Sequence, residues 1–351
     1  MNTPTTTRLA RAAKALAAAS LLLPVASAPA ALRVLESIPS ADLDIPAAGT
    51  SVVVPATSGN FIAGVGLTAR WTAVTADGGG GSAPWSADLE ITVTPPFATP
   101  LDWDFVGGEV SIANYPLADA AGSFIEPTAD GDYTWTFSGT PSPYVAGLRD
   151  VELHYLASEP DVTTVIDSTT IGRPLWDRPF SIVGISGLGP VAYDAIEFTV
   201  PVSGLYTLDS VHPSAEDTWA SFYEGEFDPT LPLTNQLDYG LGNGFAADGT
   251  PRGTAHVSAL LFTGRTYTMV TSQWASFRAT TDYTLTVVGP AEIQVAGECP
   301  ADLDSDGSVG ASDLAVLLAG WGAPGAADID GSGSADAADL AILLAAWGEC
   351  D

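Results

Sequence analysis

"YDAIEFTVPVSGLYTLDS", residues 193–210, is the stretch on which the fold turns. Ile196, Phe198 and Val200 alternate with other side chains, and Tyr206 and Leu208 continue the series. Successive side chains leave a strand on opposite faces, so an apolar residue at every second position marks a strand with one buried side. The pattern recurs at Val65, Leu67, Ala69, Trp71 and Ala73, at Leu89, Ile91 and Val93, at Tyr133, Trp135 and Phe137, and at Tyr283, Leu285 and Val287. With 36 Gly and 26 Pro in 351 residues, these runs predict a mostly β fold of two β-sandwich, jelly-roll-like domains.

"SEPDVTT", residues 158–164, interrupts the alternation and divides the chain into sandwiches at 31–157 and 158–291, with a linker at 292–298. "DGGGGS", residues 77–82, reads as a flexible loop between two strands.

Residues 1–30 read as a signal peptide: Arg8, Arg11 and Lys14 precede the apolar run Ala15 to Leu23, and Ala28-Pro29-Ala30 offers small residues for cleavage. The expected localisation is secreted or cell surface, with no membrane span in the mature chain. Lys14 is the only lysine, so the mature chain sets eight Arg against 42 acidic residues. Nucleic acid is thereby excluded as a natural partner, because no basic patch exists to displace phosphate counterions.

The chain ends in a repeat. "DLDSDGSVGASDLAVLLAGWG", residues 302–322, returns 26 residues later as "DIDGSGSADAADLAILLAAWG", residues 328–348. Counting from Asp302, carboxylates occupy positions 1, 3, 5 and 12 as Asp302, Asp304, Asp306 and Asp313, with Gly307 at the turn and the Ser308 carbonyl at position 7. The second loop has Asp328, Asp330, Ser332, Ser334, Asp336 and Asp339 at positions 1, 3, 5, 7, 9 and 12. This is the spacing of a calcium loop, in which alternate oxygen donors converge inside a tight turn. Two Ca²⁺ sites are expected, with Asp where ordinary EF-hands carry the longer Glu.

Each loop leads into an apolar stripe at helical spacing: Leu314, Leu317, Leu318 and Trp321, then Leu340, Leu343, Leu344 and Trp347. The stripes are expected to pack on each other in a small helical module. Cys299 and Cys350 bracket it, and an exported chain meets oxidising conditions, so a disulfide between them is expected, contributing about 4 kcal/mol in the chain-entropy model.

A duplicated loop-plus-helix with no helix ahead of the loop, closing an exported chain, resembles the type I dockerin family over residues 299–351. The resemblance implies a calcium-stabilised module that docks onto a cohesin-like or other cell-surface protein. Dockerin recognition uses loop positions 10 and 11 and further helix positions. Here positions 10 and 11 are Ala311-Ser312 and Ala337-Ala338, without the polar pair and basic residues often seen there. "YDAIEFTVPVSGLYTLDS", "DTWASFYEGEFDP", "LLFTGRTYTMVTSQW" and "DYTLTVVGP" follow one another as in the bacterial pre-peptidase C-terminal domain, which residues 160–290 resemble. That family's module is an accessory β-sandwich. "DIPAAGTSVVVPA" and "WSADLEITVTPP" within residues 42–157 are similar to the jelly-roll P domain of proprotein convertases.

No catalytic residue emerges. The chain has three histidines. His154 in "VELHYL" lies opposite Val151, Leu153 and Tyr155 and is expected to face solvent; His212 precedes Pro213 in a turn, and His256 sits beside a short strand. "GISGLG", residues 184–189, departs from the nucleophile elbow at Leu188. The expectation is a non-catalytic exported protein attached through its C-terminal module. The alternative is a carbohydrate-binding or polysaccharide-degrading component recruited by the same module. It would use a carboxylate pair, or a platform drawn from Trp85, Trp103, Trp176, Trp219 and Trp274.

Overall fold

The structure, a computed structural model, describes residues 31–351 except 75–85, 87–88, 105–114, 141–144, 213–215, 226, 245–249, 297–300, 304–307, 324, 326, 331 and 350–351. The signal peptide, the "DGGGGS" loop, Trp85 and both cysteines of the expected disulfide lie outside the described residues.

Nine strands form in the first part of the chain: β1 (Ala31–Pro39), β2 (Leu43–Pro46), β3 (Thr50–Ala56), β4 (Ile62–Val74), β5 (Glu90–Thr94), β6 (Leu101–Asp104), β7 (Tyr115–Thr128), β8 (Gly131–Ser138) and β9 (Val145–Glu159). They are followed by β10 (Val162–Thr169), β11 (Leu175–Trp176), β12 (Pro179–Ser181), β13 (Gly184–Ile185), β14 (Val191–Thr199), β15 (Gly204–Val211), β16 (Thr218–Glu224), β17 (Gln236–Gly242), β18 (Thr254–Leu261), β19 (Thr266–Gln273), β20 (Asp282–Gly289) and β21 (Gln294–Val295). The alternating runs become strands as expected: Val65, Leu67 and Trp71 are buried on β4, and Tyr133, Trp135 and Phe137 are buried on β8.

Two cores result. In the first, the sheet β3-β8-β5-β6 packs Val54, Val93 and Trp135 against Leu67, Leu148 and Tyr155 of β4 and β9. Tyr155 Oη donates to the Val54 carbonyl across this core at 2.8 Å, which satisfies a buried hydroxyl. In the second, the sheet β11-β14-β19-β16-β17 packs Phe198, Phe222 and Met269 against Tyr206, Leu208 and Leu285. Each buried large side chain contributes roughly 1.5–3 kcal/mol.

One sheet serves both cores. A nine-stranded sheet runs β10-β20-β15-β1-β9-β4-β7, with β18 on β15 and β2 on β9. Strand β1 makes the join. It pairs with β9 along most of its length and meets β15 at Arg33 and Gly204, where the Val34 N–H donates to the Ser203 carbonyl at 2.8 Å. The border predicted at 157/158 therefore falls inside β9, which runs to Glu159. The segment expected as a linker, 292–298, begins as part of the second sandwich: Ile293 is buried in its core and Gln294–Val295 pairs with β14. Its alternation was too short to be read as a strand.

His154 corrects another expectation. It is fully buried, with Nδ1 2.8 Å from Ser37 Oγ, Nε2 3.0 Å from Thr68 Oγ1 and its ring 5.1 Å from that of Phe262. The face of β9 opposite Leu153 and Tyr155 is covered by the second part of the chain, so strand alternation did not mean exposure. Burial, aided by the Arg265 cation, lowers its pKa to about 4. His212 is buried as well, between Thr281 Oγ1 at 2.5 Å and Thr218 Oγ1 at 2.9 Å, and burial lowers it to about 4. His256 lies within β18 and pairs with Asp209 at 2.7 Å.

Two predictions follow from the join. A Cβ at Gly204 would sit 2.4 Å from the Leu32 carbonyl oxygen, so Gly204→Ala is expected to cost about 1–3 kcal/mol, read as a lower urea midpoint. An unfolded imidazole titrates near 6.5 and the folded His154 near 4, so the unfolded chain binds the extra proton and stability falls as pH drops from 6.5 to 4. The loss is on the order of 3 kcal/mol for this group. His154→Gln is expected to flatten the pH dependence of the urea midpoint across that window relative to the parent chain.

Candidate metal site

The C-terminal repeat folds into β22 (Ser308–Val309), α1 (Ala311–Ala319), α2 (Ala337–Ala345) and β23 (Gly348–Glu349). Each helix begins where the loop ends, and the same residue ties loop to helix. Asp313, the third residue of α1, is fully buried and accepts the Leu303 N–H on Oδ1 and the Gly310 N–H on Oδ2, both at 2.7 Å. Asp339 repeats this in α2, accepting from Asp330 at 2.9 Å and from Asp336 at 2.6 Å. A carboxylate in the first turn also lies favourably at the positive end of the helix dipole. The Asp330 and Asp336 N–H groups hold the Asp339 carboxyl below the ordinary carboxylate range.

In the second loop, the carboxylates of Asp328, Asp330 and Asp339 come together with oxygen atoms within 4.8 Å of one another. The loop is shaped by its own acids. Asp328 Oδ2 accepts the Gly333 N–H at 2.8 Å and Asp330 Oδ1 the Ser332 N–H at 3.0 Å. Gly333 takes φ +106, a conformation that suits glycine alone. The Ser332 hydroxyl lies 3.5 Å from both Asp328 Oδ1 and the Ser334 carbonyl. The Asp336 side chain accepts the Ala338 N–H at 2.7 Å and caps α2. The donors gathered here are all oxygen, without nitrogen or sulfur, which is the chemistry of a hard divalent cation.

In the first loop Asp302, Ser308 and Asp313 are described, and Asp304 and Asp306 lie outside the described residues. What is described matches the second loop 26 residues on: Gly310 to Asp313 repeats the bond from Asp336 to Asp339.

The leucine stripes depart from expectation. Leu317 and Leu343 are fully buried, with Leu314 and Leu340 partly so around Ala301 and Val309. Leu318, Trp321, Leu344 and Trp347 are instead about half exposed. The helices are nine residues long and end at Ala319 and Ala345, so each Trp lies past its helix rather than one turn further along the stripe. Burial follows the i, i+4 pair of Asp and Leu (313 with 317, 339 with 343), which turns Leu318 and Leu344 outward. Val316 and Ile342 are exposed as well, a repeat-related pair that the stripe did not single out.

Among the described residues, the tryptophans of the β part give no open platform. Trp103, Trp176 and Trp219 are buried, and Trp274 joins Trp219 in clasping the fully buried Arg178, whose guanidinium carbon lies 4.5 Å from each ring. Arg178 donates to the Trp274 carbonyl at 2.8 Å and the Pro179 carbonyl at 2.6 Å, and burial lowers its pKa to about 10. In "GISGLG" the Ser186 hydroxyl accepts the Leu188 N–H at 3.2 Å within a turn after β13.

No family model matches the chain, and no curated protein matches it. Among solved structures, the STIV MCP shares 9% identity over 74% of this chain and 95% of that one, at a TM-score of 0.24. The N-terminal CBM22-1-CBM22-2 tandem domain of Paenibacillus barcinonensis Xyn10C shares 11% identity over 77% of this chain and 98% of that one, at a TM-score of 0.22. Likenesses at these scores carry no argument about this chain.

The Asp339 tethers are directly testable. Hydrogen bonds to a charged acceptor contribute about 1.5–3 kcal/mol net, so Asp339→Ala is expected to speed amide exchange at Asp330 and Asp336 about tenfold or more. Amides of β8 should exchange as before.

Proposed function

We propose that this is a non-catalytic exported protein whose residues 299–351 form a calcium-stabilised, dockerin-like module that attaches it to a cell-surface or extracellular assembly. The observation that carries the proposal is the duplication itself. Two acidic loops in register are each locked to a short helix by a buried aspartate, and the second draws three carboxylates together. Calcium would be held there by Asp328, Asp330 and Asp339, and in the first loop by the corresponding Asp302, Asp304 and Asp313. Bound calcium would neutralise these acids and offset the meagre core of so small a module.

Docking is supported by what the helices leave uncovered. Val316, Leu318 and Trp321 are exposed, as are their counterparts Ile342, Leu344 and Trp347, and this apolar surface is what a docked partner would cover. Residues 299–351 contain no Lys, Arg or His, so the complementary partner is a protein with an apolar patch rimmed by basic residues. The β sandwiches would then be the cargo or spacer that the module fixes in place.

The test is capture from the producing cell's envelope by the full chain, in calcium and in chelator. Calcium-dependent capture that is lost in Leu318→Asp/Leu344→Asp is the expected result. Capture that is equal with and without calcium, or that survives both substitutions, would sink the proposal. Calcium titration of the same chain, read by calorimetry, should show two ions bound.

A further inference from the structure

Inside the second sandwich a buried threonine and a buried glutamine meet. Thr170 follows β10 and is fully buried, and Gln273 ends β19 and is 4% exposed. The two lie 103 positions apart and belong to different sheets: β10 stands at the edge of the nine-stranded sheet, and β19 lies inside the sheet packed against it. Gln273 Nε2 donates to Thr170 Oγ1 at 2.7 Å. Thr281 holds the same hydroxyl from its other sides. Oγ1 donates to the Thr281 carbonyl at 3.1 Å and accepts the Thr281 N–H at 3.0 Å, so its remaining lone pair faces the amide. A ring of contacts fixes both partners. Thr281 Oγ1 lies 2.5 Å from His212 Nδ1, His212 Nε2 lies 2.9 Å from Thr218 Oγ1, and Thr218 stands opposite Gln273 in the ladder between β16 and β19.

From this geometry we infer that Thr170 and Gln273 join in an ester bond, formed once after folding and without a cofactor. Thr170 Oγ1 attacks Gln273 Cδ, the carbon one bond from Nε2, and the amide carbonyl becomes a tetrahedral oxyanion. The Thr170 hydroxyl proton passes to Nε2, which loses its amide resonance in that intermediate and becomes basic. The carbonyl then re-forms, the Cδ–Nε2 bond breaks, and ammonia leaves. Alcohol and amide become ester and ammonia, so the atoms balance with no oxidant or reductant. An amide is a sluggish electrophile, but holding it against the hydroxyl supplies an effective concentration of up to about 10⁵–10⁸ M. One turnover suffices, because the product stays in place. Burial also keeps out the water that would hydrolyse the ester. The bond would tie β10, whose ladder partner among the described residues is β20, to the opposite sheet, and it would restrict the unfolded chain as a disulfide does.

The experiment is mass spectrometry of the purified full chain after digestion with trypsin. Peptide 266–278, which carries Gln273, is expected joined to the peptide that carries Thr170, at about 17 Da, one ammonia, below the sum of the two. Peptide 266–278 recovered free and at full mass from the parent overturns the proposal. So does a loss of ammonia confined to a single peptide, as a succinimide at Asn243 would give. Hydroxylamine cleaves esters and spares ordinary amides, so it should separate the joined peptides, and a link that resists it is not an ester. Thr170→Val is expected to release peptide 266–278 unmodified, whereas a link that persists in this variant overturns Thr170 as the nucleophile. The parent digest decides the matter by itself should the variant fail to fold.

Discussion

Strand β1 has two edges of backbone N–H and C=O groups to satisfy, and the way it does so organises the β part of the chain. One edge is zipped to β9 from Ala31↔Glu159 to Pro39↔Glu152, with a register shift between Val34 and Glu36. The other meets β15 at Gly204, where the absence of a Cβ permits the approach. A buried, unpaired amide costs roughly 1–3 kcal/mol, so this contact is not easily given up. Through it, strands from both parts of the chain enter one sheet. Leu32, Ala63, Leu156 and Leu260 seal the junction with a small apolar cluster of their own.

That junction explains where the sequence was legible and where it was not. Period-two alternation reports which residues of a strand share a face, and at β4, β8, β15 and β20 the apolar face is the buried one. Alternation does not report what lies over the other face. At β9 both faces are covered around His154, so a residue read as solvent-facing became one of the most buried polar groups in the chain. The sheet that joins the sandwiches rests on a contact between Arg33 and Gly204, residues 171 positions apart, which no local pattern encodes. The tryptophans illustrate the same limit: whether an aromatic residue forms a platform or a core depends on neighbours such as Arg178, which slots between Trp219 and Trp274.

In the C-terminal repeat the legibility is reversed. Loop spacing is a local property, and the residues assigned to positions 1, 3 and 12 of the second loop meet in space. Helix length is local too, and it limits the stripe. A stripe of four apolar residues at i, i+3, i+4 and i+7 requires eight helical residues from its first member, and α1 offers only six from Leu314 to Ala319. Gly320 and Ala346 stand at the two helix ends, and neither following Trp joins the core. Asp336, at position 9 of the second loop, also stands at the helix N-cap, where its side chain accepts the Ala338 N–H.

The short helices and the crossed pairing are two sides of one constraint. A nine-residue helix is marginal in water, and two of them with one buried leucine each supply little core. Among the described residues, backbone pairing crosses between the halves: Gly322 and Ala323 after α1 bond to Ala335, Gly348 and Glu349 after α2 pair with Val309 and Ser308, and Asp313 and Asp339 each tie a loop to its own helix. Leu318, Trp321, Leu344 and Trp347, which a longer pair of helices would have buried, are left about half exposed, so the economy that makes the module small also sets what its surface carries.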